Sequence, residues 1–180
     1  MANLIDSTYF INDIIVPTSS DNSAVLTTFI TKYEREVLIK LFGYELYKLV
    51  AAYENPGSTQ RIIDIVEGKE YTVGSTTIKW NGLINDEKIS LIAYYVYYYW
   101  MRNLASTSSL IGEIISNSDN AINVSIDSKL SYSWHKCFEL YGGVNNKWDS
   151  ESCYNFLVNN ESTYPEWEFK ELGSVNLFNL

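Results

Sequence analysis

The chain has 180 residues, of which 46% are hydrophobic and 15% aromatic, so its composition excludes a disordered polypeptide and fits one folded domain. It carries 22 acidic and 13 basic residues, a formal charge of −9 without long basic clusters, which argues against affinity for nucleic-acid phosphates or an anionic membrane surface. The N-terminal sequence MANLIDSTYFINDI lacks the basic and apolar regions of a signal peptide, and the longest apolar stretch, 89–101, is too short to cross a bilayer, so a cytosol-like compartment is expected.

Two helices are predicted in the first third of the chain. From about Ser23, apolar residues recur at helical spacing, and this pattern predicts a helix that Asp21 or Asn22 caps and Gly43 ends. A second helix is predicted from Tyr44 to the next Pro-Gly pair. The two helices should therefore meet at a tight corner within FGYELY.

The next part of the chain changes from helical to alternating periodicity. The segment QRIIDIVEG predicts a short helix that Ser58 or Thr59 caps and Gly68 closes. In KEYTVGSTTIKWNG, apolar and polar residues alternate on either side of a Gly-Ser turn, which predicts a small β-hairpin over residues 69–81.

The most aromatic part of the sequence, IAYYVYYYWMRN at 92–103, predicts a long helix. Asn85 or Asp86 is expected to cap this helix, which should run through Arg102 to about Thr107. At helical spacing its residues fall on two sides, one with Tyr94, Tyr97, Tyr98 and Met101, and the other with Ile92, Tyr95, Val96 and Tyr99. A surface helix needs a single apolar stripe, so both sides of this helix must be covered.

Three explanations fit a helix that is aromatic on both sides. It can be a core helix that other parts of the chain surround. It can also pack on one side within the subunit and on the other against a second copy, since tyrosine is enriched at protein interfaces. As a third alternative, its rings can form a platform for a sugar. The sequence leaves this choice open.

The second half of the chain combines helices with irregular segments. Residues 108–126 contain turn-forming residues and scattered aliphatic ones, and they predict an extended loop or hairpin. Two helices should follow, one from Asp127 to about Leu140 and a short one, ESCYNFLVNN, capped by Ser150. The C-terminal tail from Thr163 contains further aromatic residues.

Together these elements predict a mainly α fold, a helical bundle with a small β-hairpin, an extended loop and extended N- and C-terminal arms. Residues 1–180 are predicted to form a single domain. Its parts are an N-terminal arm over 1–20 that docks on another surface, a helical core over 21–145, and a short helix with the C-terminal tail over 146–180.

No residue pattern in the sequence points to catalysis. His135 is the single histidine, so a metal site or a Ser-His-Asp triad would have to be built around it, and helical spacing turns Cys137 away from it. Cys137 and Cys153 form neither a disulfide framework nor a zinc motif. The carboxylates are scattered, and glycine-rich phosphate loops are missing. We therefore expect no enzyme activity, no catalytic residue, no metal and no cofactor.

Four segments carry a family resemblance. They are LIKLFGYELYKLV after the N-terminal arm, the hairpin VEGKEYTVGSTTIKWNGL, the helix SLIAYYVYYYWMRN, and GEIISNSDNAINVS followed by another helix. Their order and spacing resemble the head–tail connector proteins, also called adaptor or ring proteins, of tailed bacteriophages. The similarity is closest to the small connectors of crAss-like and other Bacteroidetes phages, and it covers about residues 20–145.

This resemblance implies a structural protein of the virion neck, assembled in the cytoplasm of the host bacterium. Connectors of this family form a ring, dodecameric by this resemblance, that binds the portal protein on one side and tail or further ring proteins on the other. DNA passes through the ring without specific binding during genome ejection. The charge of −9 suits a channel wall past which DNA must slide. No membrane partner is expected.

The resemblance also implies roles for particular residues. Tyr95, Tyr99 and Arg102 are predicted to form a stripe that faces the neighbouring subunit, with the opposite stripe of the helix as the alternative. The extended segment is predicted to contact that subunit through Ile111, Gly112, Asn120 and Ala121. Aromatic residues of the two arms are predicted to dock on partner proteins, and they are Tyr9, Phe10, Tyr164, Trp167, Phe169 and Phe178. The alternative function is a non-enzymatic, aromatic-rich module that binds a polysaccharide or a partner protein.

Overall fold

The computed structural model describes residues 3–17, 20–54, 56–109, 112–115, 126–142 and 151–168. Within these ranges it contains five α-helices and two two-stranded antiparallel sheets. The predicted mainly α class is therefore confirmed. None of the helices in these ranges combines the length and the apolar character that crossing a membrane requires.

The first helix, α1, spans Ser20–Ala51 and contains the predicted corner. At Gly43 the backbone leaves the helical region, with φ 75° and ψ 169°, so α1 consists of two helical parts that meet at this residue. Glycine suits the position because a positive φ brings no Cβ clash. The predicted junction at Gly43 is confirmed. The predicted caps, Asp21 and Asn22, are wrong because the helix already begins at Ser20.

A short helix, α2, spans Gln60–Glu67, as predicted. Thr59 occupies the N-cap position, but its side chain makes no capping hydrogen bond, and the hydroxyl of Ser58 accepts a bond from the backbone N–H of Glu54 instead. Gly68 ends the helix with φ 96°. The helix and its C-terminal glycine are therefore confirmed, whereas neither predicted hydroxyl caps its start.

Strands β1, Lys69–Val73, and β2, Thr76–Trp80, form the predicted antiparallel hairpin. Tyr71 stands opposite Ile78, on the hairpin face that packs against the body. The ring centroid of Tyr71 lies 5.4 Å from that of Phe156, in an edge-to-face arrangement. This contact holds the hairpin against the C-terminal part of the chain.

Helix α3 spans Leu91–Ala105 and contains the tyrosines at 94–99. The hydroxyl of Ser90 caps its start by accepting a bond from a backbone N–H of the first turn, at 3.2 Å. The predicted caps, Asn85 and Asp86, are wrong. The side chain of Asn85 exchanges two hydrogen bonds with the backbone of Ile89, so a separate turn is completed before the helix begins. The chain passes directly from α3 into a strand, so the helix ends slightly before the predicted limit.

Strand β3, Ser106–Ser109, pairs antiparallel with β4, Gly112–Ile115. This second hairpin overlaps the segment 108–126, for which an extended loop or hairpin was predicted. Helix α4 spans Ile126–Gly142, in agreement with the helix predicted from Asp127.

The last helix, α5, spans Cys153–Asn159 and confirms the predicted short helix. Its cap is Ser152, whose hydroxyl accepts a bond from the backbone N–H of Asn155 at 3.2 Å. The cap predicted from the sequence, Ser150, lies outside the described residues.

Helix α3 packs against α1 on one side and against α4 on the other. α1 and α3 run antiparallel. Near the start of α1, the ring of Phe29 lies 5.4 Å from that of Trp100, and further along α1 the ammonium group of Lys40 contacts the hydroxyl of Tyr95 at 2.8 Å. The tyrosine helix is therefore the central element of the bundle.

The N-terminal arm lies on the body of its own chain. It forms two short 3₁₀ turns, and the carboxylate of Glu34 in α1 accepts hydrogen bonds from the backbone N–H groups of Leu4 and Ile5, at 2.9 to 3.2 Å. The arm also contributes apolar side chains to the main hydrophobic cluster, namely Ile5, Tyr9, Phe10, Ile14 and Val16. The surface on which the arm docks is thus part of the same chain.

Candidate functional site

Tyr95 is fully buried at the interface between α1 and α3. Its hydroxyl donates to the carboxylate of Glu36 at 2.8 Å and lies 2.8 Å from the ammonium group of Lys40. Lys40 and Glu36 also form an ion pair at 2.6 Å. Burial, followed by the bonds to Tyr99 and to Glu36, raises the pKa of Tyr95 far above its ordinary value, so its hydroxyl stays protonated. Tyr95 therefore belongs to a polar contact that joins two helices of one chain.

Tyr99, one turn further along α3, also contacts α1. Its ring stacks on that of Tyr33 with centroids 4.1 Å apart and planes 8° apart. Tyr99 is partly buried, whereas Arg102 at the end of the same predicted stripe is exposed. Of the three residues predicted to face a neighbouring subunit, Arg102 alone points to solvent. The prediction for Tyr95 does not fit its position, because α1 covers its ring.

The opposite side of α3 is covered by α4. The ring of Tyr98 lies 5.0 Å from that of Trp134, and the ring of Tyr94 lies 6.3 Å from that of Tyr132. Tyr97 is also buried. Of the three explanations for the tyrosine helix, the geometry favours a core helix that its own chain surrounds. Since these rings are buried, they offer no platform to a sugar.

The aromatic residues predicted to dock on partners also lie in the core of this chain, where the structure describes them. Tyr9 and Phe10 are each 5% exposed, and Tyr164 is 1% exposed with its hydroxyl donating to the carbonyl of Arg61 at 2.8 Å. The indole N–H of Trp167 donates to the carbonyl of Leu41 at 3.0 Å. A docking role on a partner does not fit these positions, because intramolecular packing already uses the rings.

The remaining predicted contact residues are mostly outside the described part of the chain. Gly112 begins strand β4 and stands opposite Ser109. The others lie outside the described residues, and they are Ile111, Asn120, Ala121, Phe169 and Phe178.

Among the described residues, those with catalytic chemistry are not grouped. His135 is exposed on α4, while Cys137 and Cys153 are fully buried free thiols. Burial raises the pKa of Cys137 to about 12, and it raises the pKa of Cys153 as well, so neither is a reactive thiolate. Within the described ranges, no three histidine, cysteine or acidic side chains come together as a metal site would require.

One surface feature was not predicted from the sequence. The contact between α1 and α3 follows residues spaced by one helical turn, with Phe29 against Trp100. One turn earlier in α1 stands Val25, and one turn later in α3 stands Leu104, so antiparallel packing places both at the same end of the bundle. They are 44% and 47% exposed, although they continue an apolar seam. We call Val25 and Leu104 the open end of the seam.

The hairpin of β3 and β4 begins immediately after this open end. Its two strands pair with each other, and the described part of the chain offers them no third strand. An isolated two-stranded hairpin is marginally stable in water, and its outer edges carry unpaired backbone groups. The open end and the hairpin together form a region of the surface where a further covering element would be stabilising.

No protein-family model, curated protein or solved structure matches this chain. Its function therefore has to be inferred from its residues and from the geometry described above.

Proposed function

We propose that the chain is a structural, non-enzymatic subunit of the neck of a tailed bacteriophage. In this role, copies of the chain form a ring between the portal and the tail, join the filled head to the tail, and surround the channel through which DNA leaves. The proposal combines the family resemblance of four consecutive segments with one structural observation, the open end of the seam.

The open end supports self-assembly because covering its exposed apolar side chains would stabilise the assembly. Val25 and Leu104 lie one helical turn beyond the contacting rings of Phe29 and Trp100, yet each is nearly half exposed. Scattered exposed apolar residues need no explanation, but a pair at the end of a helix seam, beside a two-stranded hairpin with open outer edges, supports an interaction site there. A neighbouring copy that covers both features would complete the packing that one chain leaves unfinished.

The location of this region changes the assembly hypothesis. The sequence suggested that tyrosines of α3 contact the next subunit, but both sides of α3 pack within the chain. Subunit contacts of the proposed ring would instead involve the ends of the helices and the second hairpin. In such an arrangement, the helical bundle is complete before assembly, and assembly requires no unfolding of its core.

The net charge of −9 is also compatible with the proposed role. A surface rich in carboxylates repels the phosphates of DNA, so it would not hold a duplex that has to move through the ring.

The test is the mass of the purified chain in solution, measured by sedimentation, together with electron microscopy of the chain mixed with its portal protein. We expect rings or portal-bound rings. A chain that stays monomeric at high concentration, and also in the presence of portal, would contradict the proposal.

A matched pair of variants tests the open end itself. Val25→Asp should suppress assembly and leave the fold intact, because it places a charge at the proposed contact. Val158→Asp is the control, since Val158 in α5 is a valine of nearly equal exposure, 43% against 44%. Equal assembly of the two variants would show that the open end is not the contact.

A further inference from the structure

The exposed face of α1 carries two cations that form no ion pair in the described part of the chain, although the charge of Lys32 acts on Glu36, one turn along the helix. Lys32 and Arg35 lie beside Thr27, Thr28 and Thr31 and line a shallow depression with them. Five other cations of the described chain form ion pairs, and they are Lys40, Lys48, Arg61, Lys69 and Lys136. Lys79, Lys88, Arg102 and Lys129 also form no ion pair in the described chain, but Lys32 and Arg35 lie together on one helix face.

The threonines make this face shallow and polar. The hydroxyl of each donates to a carbonyl of α1 four residues earlier, at 3.0 to 3.2 Å. The side chains of the threonines are therefore held close to the helix, and the hydroxyl of Thr31 also accepts a bond from the side-chain amide of Asn3 at 3.0 Å. Lys32 is further positioned by Tyr33, with its ammonium group 3.4 Å from the hydroxyl and 4.8 Å from the ring centroid. We call this the cationic face.

A second surface of the same chain is acidic. The loop at 81–90, between β2 and α3, borders two adjacent grooves that share Asn81, Asn85 and Glu87. Asp86 lines one of these grooves and Glu151 lines the other. Asp86, Glu87 and Glu151 are exposed, and no ion pair of the described chain includes them.

The acidic grooves also contain lysines, but these are engaged. Lys136 pairs with Glu139 at 2.9 Å, and the ammonium group of Lys88 lies 4.6 Å from the ring centroid of Tyr9. Lys79 is the exception, since it is exposed and forms no ion pair in the described chain. We call the surface around Asp86, Glu87 and Glu151 the acidic groove.

We propose that the cationic face of one copy of the chain docks on the acidic groove of a second copy. The two surfaces have opposite charge, and the described residues form no ion pair with Lys32 or Arg35 on one surface or with the three carboxylates of the other. They are different patches of one molecule, so the contact is heterologous, and its repetition leads to a ring when the rotation closes. The inference rests on the proposed function and specifies which surfaces carry charge across the subunit contact.

Charge complementarity of this kind sets orientation and the rate of encounter more than affinity. In the proposed ring, the open end of the seam supplies apolar contact and the cationic face fixes which side of the neighbour it meets. The charged contact should weaken with ionic strength, because the Debye length falls from about 10 Å at 0.1 M salt to about 3 Å at 1 M.

The first test is zero-length cross-linking with a carbodiimide, which joins amines to carboxylates in direct contact. Equal amounts of ¹⁴N- and ¹⁵N-labelled chain are mixed, so that mass spectrometry separates cross-links between copies from those within one copy. We expect cross-links between Lys32 of one copy and Asp86, Glu87 or Glu151 of another, and their loss at 1 M salt. Lys32→Arg is the control, because it keeps the charge and removes the amine.

The outcomes separate this inference from the proposed function. Cross-links between copies that join other residues and omit Lys32 would overturn the inference and leave self-assembly standing. A complete absence of cross-links between copies, with the chain monomeric by sedimentation, would count against both.

The second test reverses charge. A variant with Lys32→Glu and Arg35→Glu should fail to assemble, as should one with Asp86→Lys and Glu87→Lys, whereas an equimolar mixture of the two should assemble again. Lys129→Glu is the control for charge reversal at another site, because Lys129 is exposed on α4 and lines neither surface.

Restoration in the mixture would show that the two surfaces meet. If both variants assemble as the unmodified chain does, the inference is wrong. It is also wrong if the first variant assembles normally but loses binding to duplex DNA in a fluorescence-anisotropy titration, since the cationic face would then bind phosphates.

Discussion

The indole N–H of Trp167 donates to the backbone carbonyl of Leu41, with 3.0 Å between nitrogen and oxygen. Leu41 stands just before Gly43, where α1 leaves helical geometry. The last carbonyls of a helical segment have no helical N–H to bind, so they need other donors. Trp167 supplies one, and the backbone N–H of Glu168 supplies another by donating to the carbonyl of Phe42 at 3.3 Å. The C-terminal segment thus completes the corner within α1.

Trp167→Phe should therefore destabilise the fold by about 1 to 3 kcal/mol, because a partly buried carbonyl loses its donor. Trp100→Phe is the matched control, since the indole N–H of Trp100 is buried and has no hydrogen-bond partner among the described residues. Removing that unpaired N–H is favourable and offsets part of the stability lost with the ring volume, so the control should be closer to neutral. Urea unfolding followed by circular dichroism measures both. Equal losses in the two variants would show that the bond to Leu41 contributes nothing.

Gly74 and Gly68 both have a positive φ, but only Gly68 is crowded. Alanine variants at the two positions therefore distinguish the cost of the backbone conformation from the cost of crowding. Gly74, in the turn of the first hairpin, has φ 62° and open space around the position of a Cβ. Gly68 has φ 96°, and a Cβ there would stand 2.4 Å from the carbonyl oxygen of Trp80. Gly74→Ala should cost about 1 kcal/mol, the penalty of left-handed backbone for a residue with a Cβ. Gly68→Ala should cost about 2 to 4 kcal/mol, because overpacking adds to that penalty.

Thermal unfolding of the two alanine variants checks this difference. If both melt at the same temperature, the crossing of the chain near Gly68 and Trp80 is looser than the structure indicates.

Periodicity predicted the helices and the first hairpin well because each of these signals is local. The apolar residues from Val25 to Leu41 recur at helical spacing whatever surrounds them, and Gly43 requires no distant contact to break a helix. Helix starts were less predictable. Asn85, Asp86 and Ser90 are all suitable caps, and the choice of Ser90 depends on a turn whose closure involves Asn85 and Ile89.

The surroundings of the tyrosine helix could not be predicted, because the covering residues are distant in sequence. Both sides of α3 looked apolar, but Tyr33 and Trp134, which cover them, come from α1 and α4. The same limit applied to Val25 and Leu104. Their spacing places them in the seam, and only the three-dimensional arrangement shows that the seam is open at their end.

Tyr99 provides a test of whether α3 belongs to the core or to an interface. Tyr99→Asp should destabilise the fold by about 3 kcal/mol or more, because it buries a charge against the ring of Tyr33. Tyr99→Phe should cost less than about 1 kcal/mol, since the ring stack persists and the hydroxyl contact with Tyr95 is long, at 3.5 Å. Circular dichroism and thermal melting measure both variants. A folded, stable Tyr99→Asp variant that fails to assemble would instead place Tyr99 at a subunit contact.

Glu34 gives the arm a predictable pH dependence. Burial raises its pKa from 4.5 to about 7, and the backbone N–H groups of Leu4 and Ile5 offset part of that effect. Because the folded pKa is the higher one, the folded state binds the proton more tightly than the unfolded chain. The contribution of Glu34 to stability is therefore greatest below pH 4.5 and falls as the pH rises to about 7. A shift of this size corresponds to about 3 kcal/mol at most.

Glu34→Gln isolates this effect, because glutamine keeps an oxygen that accepts from Leu4 and Ile5 but does not ionise. The free energy of unfolding of the unmodified chain, taken relative to Glu34→Gln, should be lower at pH 8 than at pH 5, by about 3 kcal/mol at most. Urea titrations of both proteins at the two pH values measure this difference, and subtraction removes the titration of all other groups. If the difference in unfolding free energy between the two proteins is the same at both pH values, the two backbone donors compensate fully for burial. Glu34 would then stay ionised on the folded chain throughout this range. Glu34→Ala should lower stability at both pH values, because the N–H groups of Leu4 and Ile5 then lose their acceptor.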